Sequence, residues 1–293
     1  MLKLILNNLN EVIIIVKFKP VIKWSGSKRS QSENIIKNIP YKNYDTYYEP
    51  FCGGASVLYQ LLCSDIKVNK YVCSDKNTDL INLWNLIKED PNSIYEHYKE
   101  LWEELNKDED LDRKKDFYIS IRNRLNTYHD PKDFMFIMRT TTNGLPRYNK
   151  SGDFNNSFHI SRSGIQPNTL KQILNEWSEK LNTNNVLFIN QDYSEIKPKK
   201  NDLVYLDPPY ANTKGMYFGK INQDKLLNWI STINCTLLMS YDGKTIYTDN
   251  TQNISIFDKH IYLDSGNSSF SRLFSSKKDN RVFESLYIKN CRK

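Results

Sequence analysis

The feature of the sequence that most restricts its fold is a set of short apolar runs, each of which stops at a carboxylate and leads into a turn. Four such runs end at or just before Glu49, Asp75, Asp192 and Asp207. Helical patterns follow two of them, as in SDKNTDLINLWNLIKE, where apolar residues recur at helical spacing. This alternation of strands and helices is typical of an α/β fold. Because ligands bind beyond the carboxyl ends of the strands in doubly wound sheets, we expect the four carboxylates to line up there.

The strand pattern is interrupted once along the chain. After residue 88 the sequence becomes acidic and helical to about residue 125, and it is then polar and rich in Gly and Asn. Strand-like runs resume at NVLFINQDY and continue to RVFESLYIKN. We therefore predict one α/β sheet domain formed by residues 20–84 and 186–293, with a mostly helical insertion over residues 85–185.

Residues 1–19 form an N-terminal extension in this division of the chain. Its apolar run, residues 12–16, is far shorter than the ~20 residues that a membrane-spanning helix needs. No small-residue cleavage site follows it, so we expect neither a membrane span nor a signal peptide. An extra strand and a segment upstream of the working domain both fit the extension.

Charge is distributed unevenly along the chain. The formal net charge is +7, but residues 88–116 carry 11 acidic and 6 basic side chains, whereas residues 272–293 carry 7 basic and 2 acidic ones. A surface polarised in this way fits a protein that faces phosphates on one side. The five cysteines are scattered and the four histidines lie far apart, so the sequence indicates neither a disulfide framework nor a metal site, and it favours a reducing cytoplasm.

The stretch NDLVYLDPPYANTKG, residues 201–215, carries the most specific chemistry. Taken alone, a strand followed by an ordinary proline turn explains it equally well. The residue types nevertheless suit an exocyclic aromatic amine, which is a poor nucleophile because its lone pair is delocalised into the ring. Asp207 and a backbone carbonyl held rigid by Pro208 can accept its two N–H groups and free that lone pair. Tyr210 can stack on a base that has been flipped out of the duplex.

The turn EPFCGGAS lets the backbone approach a ligand closely at Gly53 and Gly54, although a plain strand-to-helix connection explains the glycine pair equally well. It is not the G-x-G-x-x-G pattern and no Walker lysine follows, so it does not indicate a phosphate site. Asp75 ends the next strand ~20 residues later, where an acidic residue typically binds ribose hydroxyls. Together these features suggest a nucleoside-bearing cofactor such as S-adenosylmethionine.

Five short motifs, in this order, resemble the Dam-type (class alpha) DNA adenine methyltransferases, and the resemblance runs from about residue 20 to residue 290. They are IKWSGSK, EPFCGGAS, SDKNTDLI, NGLPRYNKSGDFNNSF and DPPY. The last motif alone is moderately specific, whereas the ordered set is highly specific. The resemblance implies a Rossmann-like methyltransferase sheet that uses S-adenosylmethionine, with the insertion as its target-recognition region.

The same resemblance implies roles for individual residues. The implied catalytic residues are Asp207, Pro208 and Tyr210, and the implied cofactor contacts are Trp24, Lys28, Phe51, Gly53, Asp75, Asp192, Tyr193 and Asp207. Taken singly, an ordinary buried aromatic explains Trp24 and a solvated charge explains Lys28. A strand-end cap is the alternative for Asp192.

For DNA contacts the resemblance implies Lys23, Leu145, Arg147, Asn149 and Asn155. Arg147 falls where the family uses an arginine to read a guanine edge, as a bidentate fork can. Leu145 matches an apolar residue that contacts base pairs or wedges between them. A structural or phosphate-contacting role suits any one of these residues equally well. The segment HISRSG departs from the recognition hairpin of GATC methylases, so GATC is a candidate target only.

The predicted activity is transfer of the methyl group of S-adenosylmethionine to the 6-amino nitrogen of adenine in duplex DNA, in a restriction–modification, phage or DNA-marking role. Two alternatives stay open: methylation of the cytosine 4-amino group, and a DNA-binding module that has lost catalysis. The expected partner is double-stranded DNA at the nucleoid, with no membrane and no metal. The sequence does not decide whether a cognate restriction endonuclease, acting separately, accompanies the protein.

Overall fold

The computed structural model of the protein describes residues 3–6, 12–15, 19–209, 221–267 and 281–291. The strands in these ranges are β1 (Lys3–Leu6), β2 (Val12–Ile15), β3 (Asn43–Pro50), β4 (Lys67–Asp75), β5 (Val186–Asn190), β6 (Leu203–Leu206), β7 (Thr236–Thr245), β8 (Lys259–Asn267) and β9 (Arg281–Lys289). The α-helices are α1 (Ser32–Lys37), α2 (Ser56–Leu62), α3 (Thr78–Glu89), α4 (Pro91–Leu105), α5 (Leu111–Tyr128), α6 (Pro131–Thr140), α7 (Pro167–Thr183) and α8 (Gln223–Thr232).

Seven of these strands form one sheet in the order β5-β4-β3-β6-β7-β9-β8. Strands β3 to β7 run parallel, and β9 lies antiparallel between β7 and β8. The chain enters this sheet at β3, adds β4 and β5 on one side, and then places β6 on the other side. The strand order therefore reverses between β3 and β6, where ligands bind in doubly wound sheets. The predicted α/β fold is confirmed.

Local sequence explains where the central strands lie. All four residues of β6 are buried, as expected for a parallel strand covered on both faces. Strand β4 begins at Lys67, although the continuous apolar run in its sequence begins only at Tyr71. Three of its first four residues are exposed or carry charge, so they lack the apolar signal that marks the rest of the strand.

Helices α4 to α7 lie between α3 and β5, and the first three of them begin after an aspartate cap. The side chains of Asp90, Asp110 and Asp130 accept backbone N–H groups at the starts of α4, α5 and α6. Trp84 of α3 contacts Trp177 of α7 with ring centroids 4.8 Å apart, and one hydrophobic core continues from the sheet into these helices. The mostly helical character of the insertion is confirmed, whereas its exact boundaries stay predictions.

Strands β1 and β2 pair with each other in antiparallel orientation, with Lys3 opposite Ile15. Within the described residues they form a separate two-stranded sheet, so the N-terminal extension adds strands outside the main sheet. No helix in the part of the chain that the structure describes is long and apolar enough to cross a membrane.

Candidate active site

A cleft that opens to solvent lies at the carboxyl ends of the central strands, and the empty space in it, together with the adjoining solvent, is about 1070 Å³. The four strand-end carboxylates named above all line it, as expected from the topology. All of the predicted cofactor residues line it as well: Trp24, Lys28, Phe51, Gly53, Asp75, Asp192, Tyr193 and Asp207. Pro208 is also in the wall, whereas Tyr210 lies outside the described residues.

The buried ammonium of Lys28 lies between two carboxylates at the floor of this cleft. Its Nζ is 2.8 Å from Asp207 Oδ1 and 3.4 Å from Glu284 Oε2, and it donates to the carbonyl of Gly26 at 3.1 Å. Burial opposes the charge of Lys28, but the two carboxylates outweigh it and raise the pKa of the ammonium. Burial also raises the pKa of Asp207 to about 6, helped by repulsion from Glu284 and opposed by Lys28. Lys28 therefore holds the carboxylate to which the sequence assigns the chemistry.

Glu284 was missed by sequence reasoning. It lies on β9, far from Lys28 along the chain, and its only signal is an acidic residue in the otherwise largely apolar run RVFESLYIK. The antiparallel pairing of β9 with β7 brings it within reach of Lys28, whose Nζ lies 3.4 Å from Glu284 Oε2. Although carboxylates gather here, no group of three or more His, Cys, Asp or Glu side chains within the described ranges is arranged to hold a metal ion.

Glu49 is a second buried carboxyl group beside Asp207. It is 3 % exposed, and the Tyr47 hydroxyl donates to its Oε2 at 2.7 Å. Burial raises the pKa of Glu49 to about 8, the hydrogen bond from Tyr47 lowers it, and the neighbouring charge of Asp207 raises it further. Glu49 is therefore mostly protonated at neutral pH, so it adds no second negative charge next to Asp207.

The glycine turn is explained by a side chain of the protein itself. Gly53 has a φ of +46°, and a Cβ added to it would lie 2.6 Å from Nε1 of Trp24. A Cβ added to Gly54 would lie 3.1 Å from Cβ of the same tryptophan. The Gly53 carbonyl also accepts a hydrogen bond from Nε1 of Trp84 at 3.0 Å. The two glycines therefore admit the Trp24 side chain over the turn, which brings its ring into the wall of the cleft.

Asp75 connects the glycine turn to the start of α3 through hydrogen bonds to both. Its Oδ2 accepts the backbone N–H of Gly53 at 3.3 Å, and its Oδ1 accepts that of Asn77 at 3.0 Å. Burial raises the pKa of Asp75, and these backbone hydrogen bonds oppose the rise. The residue is thus both part of the cleft wall and a local structural link.

Asp192 and Tyr193 close the side of the cleft beyond β5. Asp192 caps the 3-10 turn Tyr193–Glu195, which fits the strand-end cap, and it also lies 2.6 Å from Nζ of Lys76. Burial opposes its ionisation, but hydrogen bonds from Lys76 and Ser194 outweigh this and lower the pKa of Asp192. The Tyr193 ring packs against Phe51 with centroids 5.4 Å apart. Aromatic surface and a carboxylate are therefore adjacent here.

The predicted DNA-binding residues are Lys23 and four residues of a loop that follows the 3-10 turn Thr142–Gly144. Lys23 and Arg147 are exposed, and Leu145 is half-buried. Between Leu145 and Arg147, Pro146 reaches the wall of the cleft. The loop therefore lies at the mouth of the cleft, with its charged side chain facing solvent.

The two predicted asparagines hold this loop in shape. Asn149 donates to Asp153 at 3.0 Å, and its Oδ1 accepts the backbone N–H groups of Ser151 and Asp153 at 2.9 Å. The backbone N–H of Asn155 donates to the carbonyl of Arg147 at 2.9 Å, while its Oδ1 is buried without a hydrogen-bond partner among the described residues. Both residues thus contribute to the loop conformation.

Three basic side chains lie near one another beside this loop. Burial and the nearby guanidinium groups of Arg162 and Arg139 lower the pKa of Lys23. Arg139 is 7 % exposed and donates to the carbonyl of Pro20, and burial lowers its pKa to about 10. Three cations gathered at one place produce a potential that attracts polyanions.

Known proteins similar to this chain were found by sequence and by structure. Residues 24–265 match the family described as D12 class N6 adenine-specific DNA methyltransferase. The chain is 31% identical to the type II methyltransferase M.MjaIII of Methanocaldococcus jannaschii over 208 residues, 67% of this chain and 70% of the relative. It is 32% identical to a DNA adenine methylase of Vibrio cholerae serotype O1 over 201 residues, 67% of this chain and 66% of the relative. Among solved structures, the rRNA methyltransferase aviRa from Streptomyces viridochromogenes aligns over 88% of this chain and 81% of that chain, with a TM-score of 0.38 and 11% identity.

Proposed function

Because the chain belongs to the family of D12 class N6 adenine-specific DNA methyltransferases, we propose that it transfers the methyl group of S-adenosylmethionine to the 6-amino nitrogen of adenine in duplex DNA. One observation carries the proposed site of this reaction. Asp207 and Pro208 lie in the wall of a cleft at the point where the strand order of the sheet reverses. A carboxylate and a rigid carbonyl in that position suit the two N–H groups of an aromatic amine.

The chemical role of this pair is to activate the amine. Asp207 accepts one N–H of the 6-amino group, and the backbone carbonyl of Pro208 accepts the other. Both hydrogen bonds draw the nitrogen towards tetrahedral geometry, which localises its lone pair for attack. Lys28 binds Oδ1 of Asp207, which leaves Oδ2 for the substrate and fixes the direction in which that oxygen points.

The residues of the cleft fit S-adenosylmethionine, which supplies an electrophilic methyl group on a positively charged sulfur when it is bound. Asp75 lies where a carboxylate binds ribose hydroxyls in sheets of this topology. Phe51 and Tyr193, with ring centroids 5.4 Å apart, offer an aromatic wall to the adenine ring of the cofactor. Two carboxylates surround the single ammonium of Lys28, so the site has an excess of negative charge that suits a sulfonium ion.

The methylated nitrogen must lose one proton to complete the reaction. Asp207 is hydrogen-bonded to that N–H group in the proposed complex, and burial raises its pKa to about 6. A carboxylate with this pKa accepts the proton and returns it to water near neutral pH. Glu49, which is mostly protonated at neutral pH, leaves Asp207 as the acceptor.

We place the DNA against Lys23 and the loop at the mouth of the cleft. Arg147 is exposed there and reads a guanine edge, while Leu145 contacts the neighbouring base pairs. The target is then a short site that contains guanine and adenine, with GATC as the leading candidate. The turn after Phe158 differs from the recognition hairpin of GATC methylases and carries Ile160, which is 71% exposed.

Cytosine methylation is the second candidate, because the cytosine 4-amino group presents the same pair of N–H groups to Asp207. Family membership favours adenine over cytosine. A silent DNA-binding module would require a broken cofactor site, yet the cleft and the Lys28–Asp207 pair are both intact.

Duplex DNA as substrate makes the nucleoid the proposed place of action. A relative named as a type II methyltransferase supports a restriction–modification role beside a separate endonuclease.

The test is methylation of a randomised duplex library with purified protein and S-adenosylmethionine, followed by modification-sensitive sequencing. The expected result is methyladenine at one fixed position of a short recurring motif. Methylcytosine in place of methyladenine would support the second candidate. No modification of any duplex would favour the silent module.

A further inference from the structure

The loop after the 3-10 turn Thr142–Gly144 is attached to the cofactor cleft at several points. Pro146 lines the cleft, the next residue, Arg147, is exposed, and Tyr148 turns back towards the protein. The ring of Tyr148 packs edge-on against Phe154, with centroids 5.5 Å apart. The residue proposed to read DNA is therefore flanked on both sides by residues that face the interior.

The hydroxyl group of Tyr148 makes the first attachment. It accepts a hydrogen bond from Nδ2 of Asn77 at 2.8 Å and donates to Oδ2 of Asp79 at 3.3 Å. Asn77 caps α3 with its Oδ1 and donates its backbone N–H to Asp75. Two hydrogen bonds therefore connect Tyr148 to the carboxylate that we assign to the ribose.

The backbone of Gly144 makes the second attachment, on the opposite side of the loop. Its carbonyl accepts the N–H of Ser25 at 3.0 Å, and a Cβ added to it would lie 2.8 Å from Cβ of Lys23. Between these two contacts stands Trp24, which lines the cleft. The loop thus spans two of the segments that form the cofactor wall, those around Trp24 and Asp75.

We propose that Tyr148 couples cofactor binding to target recognition: through Asn77 it joins the Arg147 segment to the cofactor wall, so that each ligand raises the affinity of the protein for the other. The inference rests on the proposed function. Ordering of the Asp75–Asn77 turn by the cofactor limits the positions that Tyr148 can take, and hence those of Arg147. Because binding free energies are linked, DNA strengthens cofactor binding by the same factor.

Tyr148 acts here as a positioning residue, since it contacts neither reacting group. A merely structural role would lower the stability of the insertion and leave the mutual effect of the two ligands unchanged. The informative quantity is therefore a coupling factor, the Kd for the cofactor without DNA divided by the Kd with saturating DNA. S-Adenosylhomocysteine is the suitable probe, because it carries no methyl group and allows calorimetry without turnover.

The variant is Tyr148→Phe, which keeps the ring against Phe154 and removes the hydroxyl. The matched control is Tyr118→Phe, because Tyr118 is a buried tyrosine of the insertion whose hydroxyl bonds Thr141 and the carbonyl of Asn156, and none of these three residues lines the cleft. The duplex carries the motif found with the randomised library. We expect a coupling factor of about 5 or more for the wild type and for Tyr118→Phe, and a factor near 1 for Tyr148→Phe.

Three results would overturn the coupling role: a wild-type factor near 1, an unchanged factor in Tyr148→Phe, or an equal loss in both variants. If Tyr148→Phe fails to fold, Asn77→Ser breaks the same contact from the other side, since serine keeps the helix cap. Retention of the wild-type factor in Asn77→Ser would also contradict the proposal. A wild-type protein that methylates DNA without coupling refutes this inference alone, whereas one that neither binds the probe nor methylates DNA refutes the proposed function.

Discussion

The ammonium of Lys28 contacts two carboxylates, Glu284 and Asp207, the second of which we propose to react with the amine. The ammonium lies nearer to Asp207, at 2.8 Å, than to Glu284, at 3.4 Å. Glu284 thus adds a negative charge near Asp207 without hydrogen-bonding to the substrate in the proposed mechanism. Its effect on activity is expected in the pH dependence of methyl transfer.

Glu284→Gln is expected to move the acid limb of the pH profile to lower pH. Asp207 accepts the amine N–H when it is ionised, so wild-type activity falls as the pH falls through about 6. Repulsion from Glu284 is one cause of this raised pKa, and its removal lowers the pKa of Asp207. Single-turnover rates between about pH 5 and pH 8 measure the shift.

Glu33→Gln is the control for this experiment. Glu33 is 68 % exposed and pairs with Lys37 in α1, so its neutralisation changes the net charge of the protein without changing the site. Its acid limb should coincide with that of the wild type. If the acid limb of the pH profile of Glu284→Gln coincided with that of the wild type, Glu284 would not influence the pKa of Asp207.

Asp75→Asn is expected to weaken S-adenosylmethionine binding by roughly 10- to 100-fold. The amide keeps an oxygen that can accept the N–H of Asn77, but it loses the charge that strengthens a hydrogen bond to ribose, which is worth about 1.5–3 kcal/mol. Calorimetry gives the affinity, and a thermal unfolding curve without cofactor shows whether the turn stays intact. Unchanged affinity in a folded variant would remove Asp75 from the cofactor site.

Arg147→Ala is expected to relax the target at one base pair, by about 1–3 kcal/mol of discrimination. Lys150→Ala is the control, since Lys150 is an exposed cation of the same loop. The control should weaken binding to all sequences alike and reduce the salt dependence. Sequencing of a methylated random library distinguishes the two effects. A uniform loss of activity in Arg147→Ala, with the motif unaltered, would make Arg147 a contact to the DNA backbone.

An ion network joins three helices of the insertion, α4, α5 and α6. Asp133 lies in the first turn of α6 and is 1% exposed. It accepts a hydrogen bond from Nε of Arg124 in α5 at 2.6 Å. Its carboxylate also lies 2.7 Å from Nε2 of His97 in α4. Burial opposes its ionisation, but Arg124 and His97 outweigh burial and lower the pKa of Asp133. Ionised Asp133 therefore stabilises the packing of these helices.

Asp133→Asn is expected to reduce the free energy of unfolding at pH 7 by about 1–3 kcal/mol. This is less than the ~3–5 kcal/mol for a fully buried pair, because Arg124 is 40% exposed. A lowered pKa stabilises the fold above the ordinary pKa of aspartate, ~3.9, and this contribution disappears as the pH falls through the folded-state value. The difference between wild type and variant should therefore shrink below about pH 4.

Chemical denaturation at several pH values measures this difference. Asp116→Asn, which neutralises an exposed aspartate of α5, is the control and should change stability little. An effect of Asp133→Asn that is equal at pH 7 and at about pH 3 would show that the ion network does not cause the stabilisation.

Elements that carry a local signal were predictable, and those that depend on partners were less so. Strand β6 is a continuous apolar run, and the helix starts carry aspartate caps, so both were visible in the sequence. The first residues of β4 pair with β3 but have polar side chains, so the pattern missed them. The glycine turn was predicted, but its cause was not, because the Trp24 side chain packs over Gly53 from a distant part of the chain.

The topology of the sheet decided how much of the site could be inferred from the sequence. Strands β3, β4 and β6 are adjacent and parallel, so carboxylates at their ends were expected to meet, and they do. Glu284 lies on β9, an antiparallel strand whose position no local pattern fixes, so its pairing with Lys28 could not be foreseen. Tyr210 lies outside the described residues, and its stacking on a flipped base stays a prediction.

We propose that the Asp207 cleft transfers a methyl group to the 6-amino nitrogen of adenine. The most direct measurement is mass spectrometry of nucleosides from duplex DNA treated with S-adenosylmethionine and either wild-type protein or Asp207→Ala. We expect N6-methyladenine with the wild type and none with a variant that is folded by circular dichroism and still binds DNA. N4-Methylcytosine as the product, or near-normal N6-methyladenine from the folded variant, would contradict the claim.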